Sequence, residues 1–184
     1  DVWLAHGIHL TTEEISLRGK AGTGIAHCPS SNARIAAGLC PVVDFRQNQV
    51  PVGLGVDGAA SNEVGGLFGE MRQALYTARI REERADALMP EDVLDMGTAG
   101  GAKCLGTNNL GVIDVGSPAD LVVWSGDDLG GIVDPITALI LGPDRRAKHV
   151  FVAGRKRVED GELLGVDTRA AHKQLAERSK RLWD

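Results

Sequence analysis

Two histidines and an aspartate each stand at the end of a short apolar run in the first third of the chain: His6, His27 and Asp57. If those runs are neighbouring parallel strands, their carboxyl ends lie at one edge of a sheet, where such folds carry their functional groups. The three side chains would then converge. Imidazole and carboxylate groups placed together are suited to binding a metal ion or to transferring protons. The spacing therefore predicts a reactive site at this edge.

Structural interpretations of the same residues stay open at this point. Asp57 precedes Gly58, and Asp-Gly is a frequent hairpin turn, although the AASN segment that follows does not resemble a returning strand. A lone histidine is more often an ordinary core or surface residue than a ligand or a catalyst. Cys28 has no second cysteine near it for a structural zinc site, and it would need a nearby base to act as a nucleophile.

The elements that would position these residues alternate between strand and helix. Thr11, with a glutamate three residues later, is typical of a capped helix start, and Pro41 is suited to begin a second helix. Strands and helices thus alternate with a repeat of about 24 residues, which predicts βα units and a parallel sheet. The longest helical pattern runs from Leu67 to about Arg84. Its charged residues, Glu70 among them, are expected to form a solvated face.

After about Gly106 the pattern changes to short β-prone runs separated by Gly, Asp and Pro. Such runs favour a small antiparallel β subdomain. A polar, highly charged helical pattern closes the chain. We therefore expect βα units over residues 1–106, a β subdomain over 107–165 and a C-terminal helix over 166–184.

The composition excludes several classes of protein. The 184 residues include 20 basic and 25 acidic side chains, a net charge of −5, which argues against a nucleic-acid partner. No apolar stretch approaches the roughly 20 residues that a membrane-spanning helix needs, so we expect no membrane partner. The three cysteines lack CxxC spacing and fit a reducing compartment, which predicts a cytoplasmic location. The glycine-rich segments match neither common phosphate-binding motif.

Five segments form a specific pattern together, although each one alone is weak. They are LAHGIHLTTEE, GIAHCPSSNARIAAG, VPVGLGVDGAASN, GGAKCLG and GVIDVGSPADLVVW. In this order, over about residues 2–160, they resemble the amidohydrolase superfamily, in the branch of cytosine, guanine and triazine aminohydrolases. Within that branch the chain is most similar to 8-oxoguanine deaminases and hydroxyatrazine-type hydrolases.

The resemblance implies an α/β fold in which this chain is the C-terminal part of a (β/α)8 TIM-type barrel. About strands 6–8 and their helices would lie in residues 1–106, and part of a small β-sandwich in residues 107–165.

The resemblance also assigns roles to individual residues. The sixth strand of the family ends in a catalytic histidine, which matches His6. The eighth ends in an aspartate that binds the metal and shuttles protons, which matches Asp57. The HCPSSN segment matches the seventh-strand loop, which makes His27 and Asn32 candidates for substrate binding.

The cofactor implied by the resemblance is one divalent metal, zinc in the first place and iron as the alternative. The family's HxH pair from the first strand, its fifth-strand metal histidine and the glutamate that follows are absent from this chain. Catalytic zinc takes about three protein ligands and a water. We therefore expect the chain to be part of a longer enzyme, with those residues before position 1, and to lack a complete active site by itself.

The reaction implied by the resemblance is metal-dependent hydrolytic deamination of a purine- or triazine-like ring, a C–N bond other than a peptide bond, with release of ammonia. One alternative is another amidohydrolase, a S-adenosylhomocysteine/methylthioadenosine deaminase or a triazine chlorohydrolase. A second alternative is a non-enzymatic or incomplete fold fragment. The expected partners are a small heterocyclic substrate and, in the full-length protein, further copies of the same chain.

Overall fold

Three short parallel strands carry the predicted site residues in a computed structural model of the chain, which describes residues 2–126, 131–143 and 145–183. The strands are β1 (Trp3–Ala5), β2 (Gly24–His27) and β3 (Val52–Leu54). They lie in the order β1-β2-β3, with Ala26 of the central strand opposite Ala5 on one side and Gly53 on the other. The predicted parallel sheet is confirmed.

The helices of the first unit either connect these strands or follow β3 along the chain. They are α1 (Thr12–Ala21), α2 (Pro29–Arg34), α3 (Val42–Gln47), α4 (Leu67–Glu82), α5 (Pro90–Met96), α6 (Ala99–Cys104) and α7 (Pro135–Leu141). The start of α1 is the predicted one, because the Thr11 hydroxyl accepts from the Glu14 amide and the Glu14 carboxylate accepts from the Thr11 amide. Helix α3 begins at Val42, so Pro41 lies at its N-cap position, one residue before the predicted place.

The segment after β2 differs from the expected loop. Residues 29–34 form α2, which begins at Pro29. Proline is favoured at the first helical position, since its fixed φ suits a helix and its missing N–H would have no partner there. The helix matters for the site because it carries Ser31 and Asn32, both buried.

Apolar side chains between the sheet and its helices form the core of the first unit. Phe45, Ile25, Leu75 and Val93 are each fully buried. Gly53 faces α6 so closely that an added Cβ would lie 2.9 Å from the Cα of Gly101. Gly53 and Gly101 therefore permit close packing between β3 and α6.

The second unit is a small antiparallel sheet followed by a helix. Its elements are β4 (Leu121–Val123), β5 (His149–Val152), β6 (Arg155–Glu159), β7 (Glu162–Leu163) and α8 (Thr168–Trp183). The strands lie in sequence order, and Ala153 and Gly154 make the tight turn between β5 and β6 with φ of 48° and 74°. The predicted short strands and the final helix are present.

The two compact units divide at other residues than the expected boundaries at 106 and 165. The first unit comprises residues 1–117 and 128–143, and the second comprises residues 118–127 and 144–184. Helix α7 belongs to the first unit because Ile140 is fully buried there and its carbonyl accepts a hydrogen bond from Arg72 of α4. In the described ranges, no helix is long and apolar enough to cross a membrane.

Candidate active site

His6 and Asp57 meet at the carboxyl edge of the parallel sheet. His6 directly follows β1, and Asp57 comes three residues after the end of β3. The Nε2 atom of His6 lies 3.7 Å from Oδ2 of Asp57, and each side chain is about one-third exposed, 36 % and 35 %. The structure thus brings together the two residues that strand order placed at one edge, and leaves both open to a ligand.

The backbone is in the left-handed region at both of these residues. His6 has φ of 66° and Asp57 has φ of 63°. A non-glycine residue in this region costs free energy, of order 1 kcal/mol, and such residues cluster at functional sites. At His6 the conformation is held by its amide, which donates to the Ala26 carbonyl at 2.9 Å. Two strained residues side by side at the sheet edge favour a functional over a merely structural interpretation.

Two serine hydroxyls orient the Asp57 carboxylate. Ser31 of α2 donates to Oδ2 at 2.6 Å, and the Ser61 hydroxyl lies 3.2 Å from the same oxygen. The hydroxyl oxygens of the two serines are 2.8 Å apart. The Ser31 hydrogen bond is the main cause that holds the pKa of Asp57 below its usual value. The carboxylate is therefore ionised at neutral pH and fixed in direction.

Asn32 fixes the His6 ring from the opposite side. Nδ1 of His6 and the amide oxygen of Asn32 are 2.8 Å apart. An amide oxygen can only accept, so Nδ1 carries the proton and donates it. Nε2 is then the ring nitrogen that faces Asp57. Asn32 is buried, at 2 % exposure, so the ring is held by a rigid partner.

His27, the third residue of the predicted cluster, lies inside the protein. It is 2 % exposed, and neither ring nitrogen has a hydrogen-bond partner among the described residues. Burial is the main cause that lowers its pKa to about 4. His27 and Asn32 both border a cavity of about 10 Å³, far smaller than a heterocyclic ring. Contact of these two residues with a substrate stays a prediction, and the observed contact of Asn32 is with His6.

The sequence interpretation missed the residues that support Asp57. Ser31 and Ser61 were not singled out, and Glu70 was expected on a solvated face, which is wrong. Glu70 is 2 % exposed and accepts hydrogen bonds from the amide of Ser30 at 3.0 Å and the side chain of Asn62 at 2.8 Å. Helical spacing offered a signal, because positions four and eight residues after Glu70 are small and apolar and share its face.

The cysteine next to the site is a buried thiol. Burial is the main cause that raises the pKa of Cys28 to about 11. A thiol with so high a pKa carries almost no thiolate at neutral pH, and the thiolate is the nucleophile. Cys28 is therefore unsuited to covalent catalysis.

The donor set at the sheet edge fits part of a metal site. Asp57 supplies an ionised, partly exposed carboxylate beside the His6 imidazole. Catalytic zinc takes about three protein ligands. Within residues 2–126, 131–143 and 145–183, no group of three or more His, Cys, Asp or Glu side chains could hold a metal. The described residues can thus contribute to a metal centre without completing one.

Known proteins resemble the chain along most of its length. The model of a family described as "Amidohydrolase family" matches residues 1–157. An 8-oxoguanine deaminase from Pseudomonas aeruginosa is 47 % identical over 170 residues, which cover 91 % of this chain and 38 % of that protein. A 5-methylthioadenosine/S-adenosylhomocysteine deaminase from Halobacterium salinarum is 37 % identical, covering 99 % of this chain and 43 % of the relative.

Solved structures show the same arrangement of elements. An adenosine deaminase from Xanthomonas campestris with bound zinc has a TM-score of 0.93 and 32 % identity, covering 97 % of this chain and 42 % of that one. The atrazine chlorohydrolase TrzN from Arthrobacter aurescens, complexed with zinc, has a TM-score of 0.89 and 34 % identity, covering 96 % and 40 %. The chain therefore spans about two-fifths of the length of the proteins it matches.

Proposed function

Because the chain belongs to the amidohydrolase family, we propose that it is part of an enzyme that hydrolytically deaminates a purine- or triazine-like ring and releases ammonia. The observation that carries the proposal is the pairing of His6 with Asp57, 3.7 Å apart at the carboxyl edge of a parallel sheet. An ionised carboxylate next to a fixed imidazole can transfer protons as a general acid–base pair during hydrolysis.

Asp57 acts as the proton carrier in the proposed reaction. Its carboxylate is kept ionised and aimed by Ser31, so it can accept a proton from the attacking water. It then delivers that proton to the nitrogen that leaves as ammonia. The same group must take up and give back one proton in each cycle, which its partial exposure at the sheet edge allows.

His6 stabilises the oxygen of the attacking water as it bonds to the ring carbon that carries the leaving nitrogen. Asn32 holds the Nδ1–H end of the ring, so Nε2 is the end that faces the reacting atoms and Asp57. With a proton on Nε2 the imidazole donates a hydrogen bond to the oxygen of the attacking water. Loss of one such donor typically costs about 3 kcal/mol of transition-state stabilisation.

When it is bound, a divalent metal, zinc by preference, would lower the pKa of the attacking water from 15.7 towards about 7. Asp57 would be one of its ligands, since it is the ionised carboxylate at the sheet edge. The remaining ligands would have to come from residues outside the described ranges. Zinc is supported by two structurally similar proteins that contain it, a deaminase and a chlorohydrolase.

A purine-type ring of the 8-oxoguanine kind is the favoured substrate. The identity to an 8-oxoguanine deaminase is 47 %, against 37 % for a 5-methylthioadenosine/S-adenosylhomocysteine deaminase and 34 % for a triazine hydrolase. Deamination of those nucleosides and dechlorination of triazines are the alternatives. Each of these substrates is that of a relative. A panel of substrates decides which of them the enzyme containing this chain uses.

The experiment uses the product of the complete reading frame that contains this chain, purified with zinc. Ammonia release is measured with 8-oxoguanine, guanine, 5-methylthioadenosine and S-adenosylhomocysteine, and chloride release with a chlorotriazine. The proposal expects the highest kcat/KM on 8-oxoguanine. A higher kcat/KM on either nucleoside or on the triazine would make that compound the substrate in place of 8-oxoguanine. A folded, zinc-loaded protein that releases neither product from any compound would contradict the proposed function and favour a non-enzymatic protein.

The finer assignments of the fold belong to the same proposal. We take β1, β2 and β3 as about strands 6–8 of a (β/α)8 barrel, and β4–β7 as part of a β-sandwich that further residues would complete. Assembly into a homo-oligomer and a cytoplasmic location stay predictions.

A further inference from the structure

Glu70 is a buried carboxylate that connects two separate segments of the site. It lies in the first turn of α4 at 2 % exposure. Oε2 accepts a hydrogen bond from the backbone amide of Ser30 at 3.0 Å. Oε1 accepts one from the side-chain amide of Asn62 at 2.8 Å. Each carboxylate oxygen thus serves one donor, and the two donors come from different segments, the first turn of α2 and the loop before α4.

Each segment that Glu70 anchors carries one of the serines that contact Asp57. Ser30 is followed by Ser31, whose hydroxyl donates to Asp57 at 2.6 Å. Asn62 is preceded by Ser61, whose hydroxyl lies 3.2 Å from the same carboxylate oxygen. One buried side chain therefore holds the residue next to each of the two serines that orient the Asp57 carboxylate.

We propose that Glu70 is a positioning residue for Asp57, acting by clamping the Ser30 amide and the Asn62 side chain that flank the two serines. A carboxylate in this place has a desolvation cost that an apolar residue would avoid. Helix packing alone does not require such a group, whereas two facing donors in the interior require two acceptors. The catalytic part of the proposal rests on the proposed function, and the hydrogen-bond part does not.

The polarity of the clamp can be tested by exchanging its partners. Glu70→Gln keeps one acceptor, the amide oxygen. Its NH2 group then faces either the Ser30 amide or the Asn62 side-chain amide, which is itself a donor. Asn62→Asp places a second carboxylate against Glu70. In the double variant Glu70→Gln/Asn62→Asp, the introduced amide can accept from Ser30 and donate to the introduced carboxylate. The double variant restores a matched pair, so the two single defects should cancel.

The four proteins of this cycle are made in the complete gene product, with two controls. Glu83→Gln removes an exposed carboxylate just beyond the same helix. Val93→Ala truncates a fully buried side chain of α5 and lowers stability without touching the clamp. For each protein, kcat and KM for ammonia release are measured where all variants are folded, and unfolding is followed in urea.

The clamp predicts that each single substitution lowers kcat by about tenfold or more while KM changes by less than about threefold, since misplacement of a reacting group acts mainly on the chemical step. The double variant should recover kcat to within about threefold of the unsubstituted protein. Glu83→Gln should keep kcat, and Val93→Ala should lower the urea midpoint but keep kcat. Recovery of kcat by a second substitution is a result that a merely structural role would not give.

Unchanged kcat in Glu70→Gln would overturn the proposal. A kcat in the double variant no higher than that of the slower single variant would also overturn it. The same holds if Val93→Ala, at an equal loss of stability, loses as much kcat as Glu70→Gln. If the unsubstituted protein shows no turnover on any substrate, the proposed function fails. The urea midpoints then decide on the clamp itself, because additive effects of the two substitutions would refute it and mutual compensation would support it.

Discussion

Lowering the pH should destabilise the protein through His27. Its imidazole is 2 % exposed, and its nitrogens have no hydrogen-bond partner among the described residues. Burial therefore disfavours the charged ring, and the pKa falls from 6.5 to about 4. The unfolded chain binds the proton near pH 6.5, whereas the folded protein binds it only near pH 4. Because the unfolded state binds more protons in this window, stability falls as the pH falls.

The size of the effect follows from the two pKa values. Above 6.5 both states hold a neutral ring, and His27 adds no pH dependence. Between 6.5 and about 4 the free energy of unfolding drops by about 1.4 kcal/mol for each pH unit. Between pH 7 and pH 5 the contribution of His27 amounts to about 2 kcal/mol. Below about 4 the loss levels off, because both states are then protonated.

The assay compares urea unfolding at pH 7 and pH 5 for the unsubstituted protein and for His27→Met, which keeps an apolar side chain of similar size without a titrating group. The loss between the two pH values should be about 2 kcal/mol smaller in His27→Met. His172→Gln serves as the control, because His172 is exposed on α8. It should lose as much as the unsubstituted protein. An equal loss in His27→Met would refute the account of a buried neutral imidazole.

Three further substitutions and one control variant test packing, capping and the site. Gly53→Ala should lower the free energy of unfolding by about 1–3 kcal/mol, since its Cβ would lie 2.9 Å from the Cα of Gly101. Gly69→Ala, in open space on α4, should leave it unchanged or raise it by up to about 1 kcal/mol, and equal urea midpoints for the two variants would contradict the packing. Thr11→Ala removes the acceptor of the α1 capping box and should cost about 1 kcal/mol in the same assay, whereas an unchanged midpoint would mean that the cap contributes nothing. Asn32→Leu removes the acceptor of the His6 ring and should lower kcat about tenfold or more in the ammonia assay, and full activity would disprove that positioning role.

The elements with local signals were predictable from the sequence. Thr11 and Pro41 mark helix starts by their own chemistry, and the structure begins a helix one residue after each. Helix α2 was missed because its six residues are too few to show helical periodicity. Helix α7 joins the first unit through tertiary packing of Ile140, which no local pattern reveals.

The site was predictable only as far as strand order determines it. Parallel strands place their carboxyl ends together, and this brought His6 and Asp57 to one edge. The residues that orient them are far from their partners in sequence, since Ser31 and Asp57 are 26 positions apart and Ser30 and Glu70 are 40 positions apart. These contacts depend on how α2 and α4 pack. Polar side chains without any local sequence signal therefore become parts of the site.

The central claim is that Asp57 carries protons in a metal-dependent deamination. Its most direct test is Asp57→Asn in the complete, zinc-loaded gene product, because asparagine keeps the size of the side chain and tolerates the left-handed backbone. Asp86→Asn, at an exposed carboxylate, is the matched control. We expect ammonia release to fall by about 10²-fold or more in Asp57→Asn and to stay unchanged in Asp86→Asn. Full turnover in Asp57→Asn would contradict the account.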